Sequence, residues 1–142
     1  MSVPSLLFLA FSLAAAVAYN LPFGRIWRSL ILLAANVAFL ASFAPSPVSL
    51  LPFAGFLLFG YVAVRTLQAK RTGALMWLLV AATLFVFLWL KRYPVAPAEL
   101  FLNYPYLTIG LSYVFFRVMH LVIDAGQGQL TTSLPWLSYT NF

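Results

Sequence analysis

Apolar residues run through this chain in long blocks, and charged residues punctuate the gaps between them. No charge occurs in residues 1–24, 29–64 or 72–90. A helix needs ~20 apolar residues to cross the hydrocarbon core of a bilayer, and each of these blocks is of that order. The pattern predicts about five spans, at residues 4–19, 29–43, 50–67, 74–90 and 106–123. A membrane β-barrel would need ~10-residue segments alternating apolar and polar side chains. Stretches such as Leu78 to Leu90 are apolar on every side. The expected fold class is therefore all-α, a polytopic transmembrane helical bundle.

Local breakers set the expected boundaries. Pro4 suits the first turn of a helix, and Asn20, Pro22 and Gly24 close the first block. Ala44-Pro45-Ser46-Pro47 is an uncharged turn, and Lys91-Arg92-Tyr93-Pro94 ends the fourth block. Residues 93–105 hold three prolines with Glu99 and Asn103, so they read as a loop or an interfacial segment. The last residues, Ser138 to Phe142, look like the start of another helix. Pro52, Gly55 and Gly60 fall inside the third block, where neighbouring membrane helices can satisfy freed backbone groups. Ala10, Ala14 and Ala18 give the first helix a small face, which fits either a close helix contact or plain alanine-rich composition. Ala16-Val17-Ala18 resembles a signal cleavage site. However, no basic residue precedes the apolar stretch, and Arg25 and Arg28 follow it, which favours a retained span.

Composition narrows the chemistry. At 64% hydrophobic residues and a mean hydropathy of +1.00, the chain could not cover a soluble globule with polar surface. The absence of cysteine excludes disulfides, thiolate metal sites, palmitoylation and a cysteine nucleophile. One histidine and two acids, Glu99 and Asp124, leave no metal site and no carboxylate pair to expect. The net charge of +6 sits beside apolar spans, where orientation and lipid headgroups explain it without nucleic acid.

Loop charges set an expected orientation. Arg25 and Arg28 fill the first loop, and Arg65, Lys70 and Arg71 the third. Positive residues favour the cytoplasmic side, which places the N-terminus outside. Lys91 and Arg92, in the fourth loop, run against that rule. Beside Trp89 and Tyr93 they read as an interfacial anchor, with lipid-headgroup binding as the alternative.

The fifth span differs from the others. Arg117, His120 and Asp124 stand at i, i+3 and i+7, one helical face, with Tyr113 a turn earlier. Unpaired charge is costly in lipid, so the stripe should face protein or a water-filled cavity. Two readings stay open. The stripe could form the polar wall of a substrate cavity, or it could be a structural network pinning the helix. His120, the sole histidine, is a weak candidate for a general base, because neither a nucleophile nor an oxyanion donor is placed beside it.

Three stretches together resemble the N-terminal part of the membrane-bound O-acyltransferase (MBOAT) family. They are Leu21-Pro22 followed by Trp27 to Leu33; Leu84 to Tyr93; and Gly110-Leu111-Ser112-Tyr113 with Phe116-Arg117 and Ile123-Asp124. The likeness is to the bacterial branch that includes alginate O-acetylation proteins and teichoic-acid D-alanylation transporter-like proteins. Only the third stretch is reasonably specific. The resemblance implies transfer of an acyl group from a thioester donor to a hydroxyl acceptor inside a membrane funnel. It implies no tightly bound cofactor, and a location in the bacterial inner membrane. The partners it implies are the bilayer, the remainder of the acyltransferase domain and an acyl-carrier or periplasmic protein. The family's catalytic histidine lies well downstream, and His120 does not match it. Ala125-Gly126-Gln127-Gly128 also departs from the Tyr-Arg-Gly that often follows the family's aspartate. The 142 residues are therefore expected to be a fragment, a truncated product or half of a split reading frame, inactive alone. A small transporter or channel subunit, or a purely structural membrane subunit, are the competing classes.

Overall fold

The computed structural model describes residues 6–93, 99, 101–103, 106, 108, 110–130, 132 and 134–141. Among them the regular elements are helices, with no strand. The chain divides into two compact units, Met1–Ala44 with Pro135–Phe142, and Pro45–Leu134.

The first unit holds α1 (Leu6–Tyr19), α2 (Arg25–Ala41) and the short α6 (Trp136–Thr140). Polar contacts lock the α1–α2 corner. The Trp27 indole N–H donates to the Ala18 carbonyl at 2.9 Å, and the Asn20 side-chain amide donates to Ala16 at 2.8 Å. The Arg28 guanidinium lies 5.7 Å from the Tyr19 ring centroid. These bonds reinforce the end of α1, where the Ala16 carbonyl also accepts the Asn20 N–H at 3.2 Å and the Ala18 carbonyl the Leu21 N–H at 3.4 Å. Asn141 ties the end of α6 to α2 by donating to the Ser29 carbonyl at 2.7 Å. α2 begins four residues before the expected residue 29. Gly24, at φ 95°, makes the break that a side chain would resist, so Arg25 and Arg28 fall inside the helix. The charges mark where apolar surface begins, not where the helix begins. Ala10 and Ala14 are exposed and Ala18 is half-buried. Residues 4 and 5 of the expected first span lie outside the described residues.

The second unit is built from α3 (Leu51–Ala69), α4 (Gly73–Leu90) and α5 (Leu111–Gln127). A 3-10 turn, Pro47–Leu50, leads directly into α3. Buried Ser49 donates its hydroxyl to the Ser46 carbonyl, so burial leaves it satisfied. Pro52 lies in the first turn of α3, where its missing N–H costs nothing. α3 buries Phe53, Phe56, Gly60, Ala63, Val64 and Leu67, a three-four spacing that makes one continuous stripe. α5 answers with Leu111, Phe115, Val118, Leu121, Val122 and Ala125. Burying a side chain of this size contributes about 1.5–3 kcal/mol, so these two stripes are the core of the unit.

α4 packs on both α3 and α5 yet buries little of itself. Its buried residues are Thr83 and Leu90, and Phe87 stacks on Phe115 with ring centroids 4.1 Å apart. Thr83 returns its hydroxyl to the Leu79 carbonyl at 2.7 Å, so an apolar wall surrounds no orphan donor. Trp77 and Phe85 remain 68% and 58% exposed.

Pro47–Ala69 and Gly73–Leu90, at 23 and 18 residues, are long and apolar enough to cross a membrane. α1 is apolar but only 14 residues long. α2 and α5 have 17 residues each and carry charge. The expectation of five apolar spans thus meets five helices of at least 14 residues, of which two have spanning length and composition.

Candidate functional site

α5 is five residues shorter at its start than the expected residue 106. Gly110 stands at φ 77°, in the left-handed region, and cannot continue a right-handed helix back toward Tyr106. Its carbonyl accepts the Val114 N–H at 3.0 Å, which opens the helix. The other end closes with Gly128 at φ 78°. There the Gln129 N–H donates to the Asp124 carbonyl at 2.9 Å and the Gly128 N–H to Ala125 at 3.2 Å, the paired bonds of a Schellman cap. Both helix ends therefore depend on glycines with positive φ.

Those caps frame the ionisable stripe. At 3.6 residues per turn, Tyr113, Arg117, His120 and Asp124 fall within roughly 60° of one another, almost opposite the buried stripe of α5. Tyr113 and His120 are exposed, and Arg117 and Asp124 are partly buried. His120 Nδ1 stands 3.6 Å from Asp124 Oδ2, with the histidine side chain 76% exposed and the aspartate 21%. Arg117 is itself engaged. The co-facial grouping thus includes all four residues, and it points away from the helices that α5 packs on. Asp124 sits at the C-terminal end of α5, where the partial negative charge of the helix opposes a carboxylate. His120, one turn back, is the side chain beside that carboxylate.

A second cluster closes the C-terminal end of α4. Arg92 adopts φ 55°, a left-handed conformation unusual for a residue with a side chain. Its N–H donates to the Trp89 carbonyl at 3.0 Å and the Tyr93 N–H to Leu88 at 3.1 Å, again the Schellman pair. Arginine here occupies the place glycine usually takes. Its side chain offsets the strain, because the guanidinium donates to the Leu102 carbonyl at 2.6 Å and lies 4.9 Å from the Tyr106 ring centroid. Tyr106 in turn donates its hydroxyl to the Leu90 carbonyl at 2.6 Å. This clasp ties the segment before α5 back to α4. The Lys91–Arg92 pair expected as an interfacial anchor is thus divided, with Arg92 committed to internal structure.

Glycines set the third contact. A Cβ added at Gly126 would collide with Met76 Cγ and Sδ and lie 3.0 Å from its Cβ. The Met76 side chain, in the first turn of α4, therefore lies directly against the backbone of the last turn of α5. A Cβ on Gly128 would stand 2.6 Å from Arg71 Nη1, so a guanidinium rests against the negative end of α5.

Sequence reasoning found the α5 stripe but missed the Arg92–Tyr106 clasp, whose partners are fourteen residues apart across a loop. Pro94, just beyond the α4 cap, was the one local signal of a left-handed helix stop. Among the described residues no three His, Asp or Glu side chains gather as metal ligands. Comparison of the chain with protein-family models, curated proteins and solved structures gives no match.

Proposed function

We propose that this chain is a membrane-embedded helical segment that walls an acyl-transfer cavity, the N-terminal portion of a membrane-bound O-acyltransferase. The observation that carries the reading is the two-sided nature of α5. One side seals against α3 and α4, and the other presents Tyr113, Arg117, His120 and Asp124. Hydrocarbon does not solvate such a face, so within a bilayer it must be covered by protein or by a water-filled cavity. The remainder of a longer acyltransferase domain supplies both. The Gly110-Leu111-Ser112-Tyr113 stretch that resembles the family stands at the start of this helix, and Ile123-Asp124 at its end.

Membrane residence is supported by α4, which is apolar all round and mostly unburied. In water its exposed side chains would form a patch of the kind that drives aggregation; in lipid they need no partner. The basic first and third loops support an orientation with the N-terminus outside, and the resemblance to the bacterial branch of the family supports the inner membrane as the location. The internal role of Arg92 accounts for one of the two cations that run against this orientation.

In mechanism, the segment positions and excludes rather than transfers. A dry wall protects a thioester donor from hydrolysis and strengthens the few polar contacts along it. The transferring base belongs to a histidine outside this chain.

The test is to isolate the native polypeptide from its membranes through a tag placed before α1 and to measure its mass and its O-acyl transfer from a thioester. A species larger than 15.8 kDa, active and silenced by changing a histidine beyond residue 142, is expected. A stable 15.8 kDa species that conducts or transports a solute would replace the acyltransferase reading with a transporter subunit.

A further inference from the structure

From Leu30 to Ala41 every side chain of α2 is apolar except that of Asn36. Asn36 is exposed, and its amide has no hydrogen-bond partner among the described residues. Other polar side chains on apolar helices satisfy themselves: Thr66 and Thr83 return their hydroxyls to carbonyls four residues back. Water would solvate the Asn36 amide, but hydrocarbon leaves it needing a donor and an acceptor from protein. Spacing and chemistry together define that partner. Ser29, Leu32, Asn36, Phe39 and Phe43 recur at alternating steps of three and four, the a and d positions of a heptad with asparagine at a. The Phe39 ring lies 5.7 Å from that of Phe8 on α1, so the open part of the seam is Ser29, Leu32 and Asn36. A carboxamide carries both donor and acceptor, so it complements a copy of itself across a two-fold axis. A single asparagine at an a position is a device that sets the register of paired helices.

We propose that α2 pairs in parallel with α2 of a second copy of this chain, the two Asn36 amides hydrogen-bonded to each other at a two-fold axis. The proposal rests on the membrane reading above, extended to α2, but not on acyl transfer. Two copies inserted the same way present α2 in parallel, as this axis requires. Leu32 packs on its counterpart one turn before the amides, and Ser29 is small enough there to let the backbones approach. Arg25 and Arg28 lie exposed in the first turn of α2, so the like charges of the two copies meet at the wet end of the pair, where ions screen them.

The test oxidises the full chain in its membrane with one cysteine introduced on α2, and reads disulfide-linked dimer as a doubled mass on a non-reducing gel. Leu32→Cys, on the Asn36 face, should crosslink. Leu30→Cys, also exposed but about 160° round the helix, should not. Adding Asn36→Leu to Leu32→Cys should weaken pairing about three- to tenfold, the range for one hydrogen bond between membrane helices, read as the lipid dilution that halves the crosslink. Asn36→Gln keeps the carboxamide and should retain most of the pairing. No crosslink at residue 32, equal crosslinking at residues 30 and 32, or pairing unchanged by Asn36→Leu would each overturn the proposal. Coverage of Asn36 by a different protein, or by another part of a longer chain, gives the first of these results. A chain that carbonate strips from the membrane removes the membrane reading as well, which an inserted chain without the crosslink does not.

Discussion

The Arg92 guanidinium carbon lies 4.9 Å from the centre of the Tyr106 ring, and the Tyr106 hydroxyl returns to the carbonyl of Leu90, two residues before the arginine. This reciprocal arrangement holds a non-glycine residue in a left-handed cap. Arg92→Ala removes the hydrogen bond and the cation–π contact but keeps the backbone strain, and should destabilise the protein by about 1–3 kcal/mol. Arg92→Gly also loses the side chain but relieves the strain, and should recover about 1 kcal/mol of that loss. Unfolding in mixed micelles distinguishes the two. Equal stabilities for the pair would mean that the left-handed cap carries no strain.

Tyr106→Phe isolates the other half of the clasp. The ring remains under the guanidinium and only the bond to Leu90 is lost. The expected cost is about 0.5–1.5 kcal/mol, the net value of one hydrogen bond, read by the same unfolding measurement.

Gly126 and Met76 test the contact between α5 and α4. Gly126→Val forces two extra methyl groups and a β-carbon into the space of Met76, and should cost about 1–3 kcal/mol. Met76→Ala alone leaves a partial cavity. The double variant should be more stable than the two single losses predict, because each change accommodates the other. Strict additivity would show that the helices are not in contact there.

Asp124 and Glu99 separate a placed acid from a solvated one. Asp124 is 21% exposed beside His120, and Glu99 is exposed. Asp124→Ala should lower the yield of membrane-folded protein more than Glu99→Ala does, measured by detergent size-exclusion of the full-length product. Equal yields would remove the case for a structural or functional network on that face.

The chain lacks native cysteine, so single-cysteine labelling maps its orientation without background. Asn20→Cys, beside the basic first corner, should react with an impermeant maleimide only after the cells are opened. Ser46→Cys, in the uncharged turn before α3, should react in intact cells. The reverse pattern inverts the topology.

How much of this was legible in the sequence depends on the range of the interaction. α3 and α4 lie within a residue or two of the expected 50–67 and 74–90, since uninterrupted apolar composition and the flanking charges define them locally. The helix starts at α2 and α5 were displaced because Gly24 and Gly110 decide them through positive φ, which hydropathy does not register. The co-facial grouping of Tyr113, Arg117, His120 and Asp124 followed from helical spacing alone. The direction of that face, away from α3 and α4, did not, because it depends on which stripe the neighbouring helices bury. The Arg92–Tyr106 clasp and the Gly126–Met76 contact join residues that no periodic pattern links.

α4 has no preferred side by composition, and a few positions, Met76, Thr83, Phe87 and Leu90, determine how it is turned. Most of its other positions can exchange one hydrocarbon side chain for another with little penalty, so selection has slight purchase on them. Over evolutionary time this helix should diverge fastest while keeping its length and greasiness. Kinship with other proteins is then to be sought in the two-faced pattern of α5 and the glycines that bracket it, where drift is penalised.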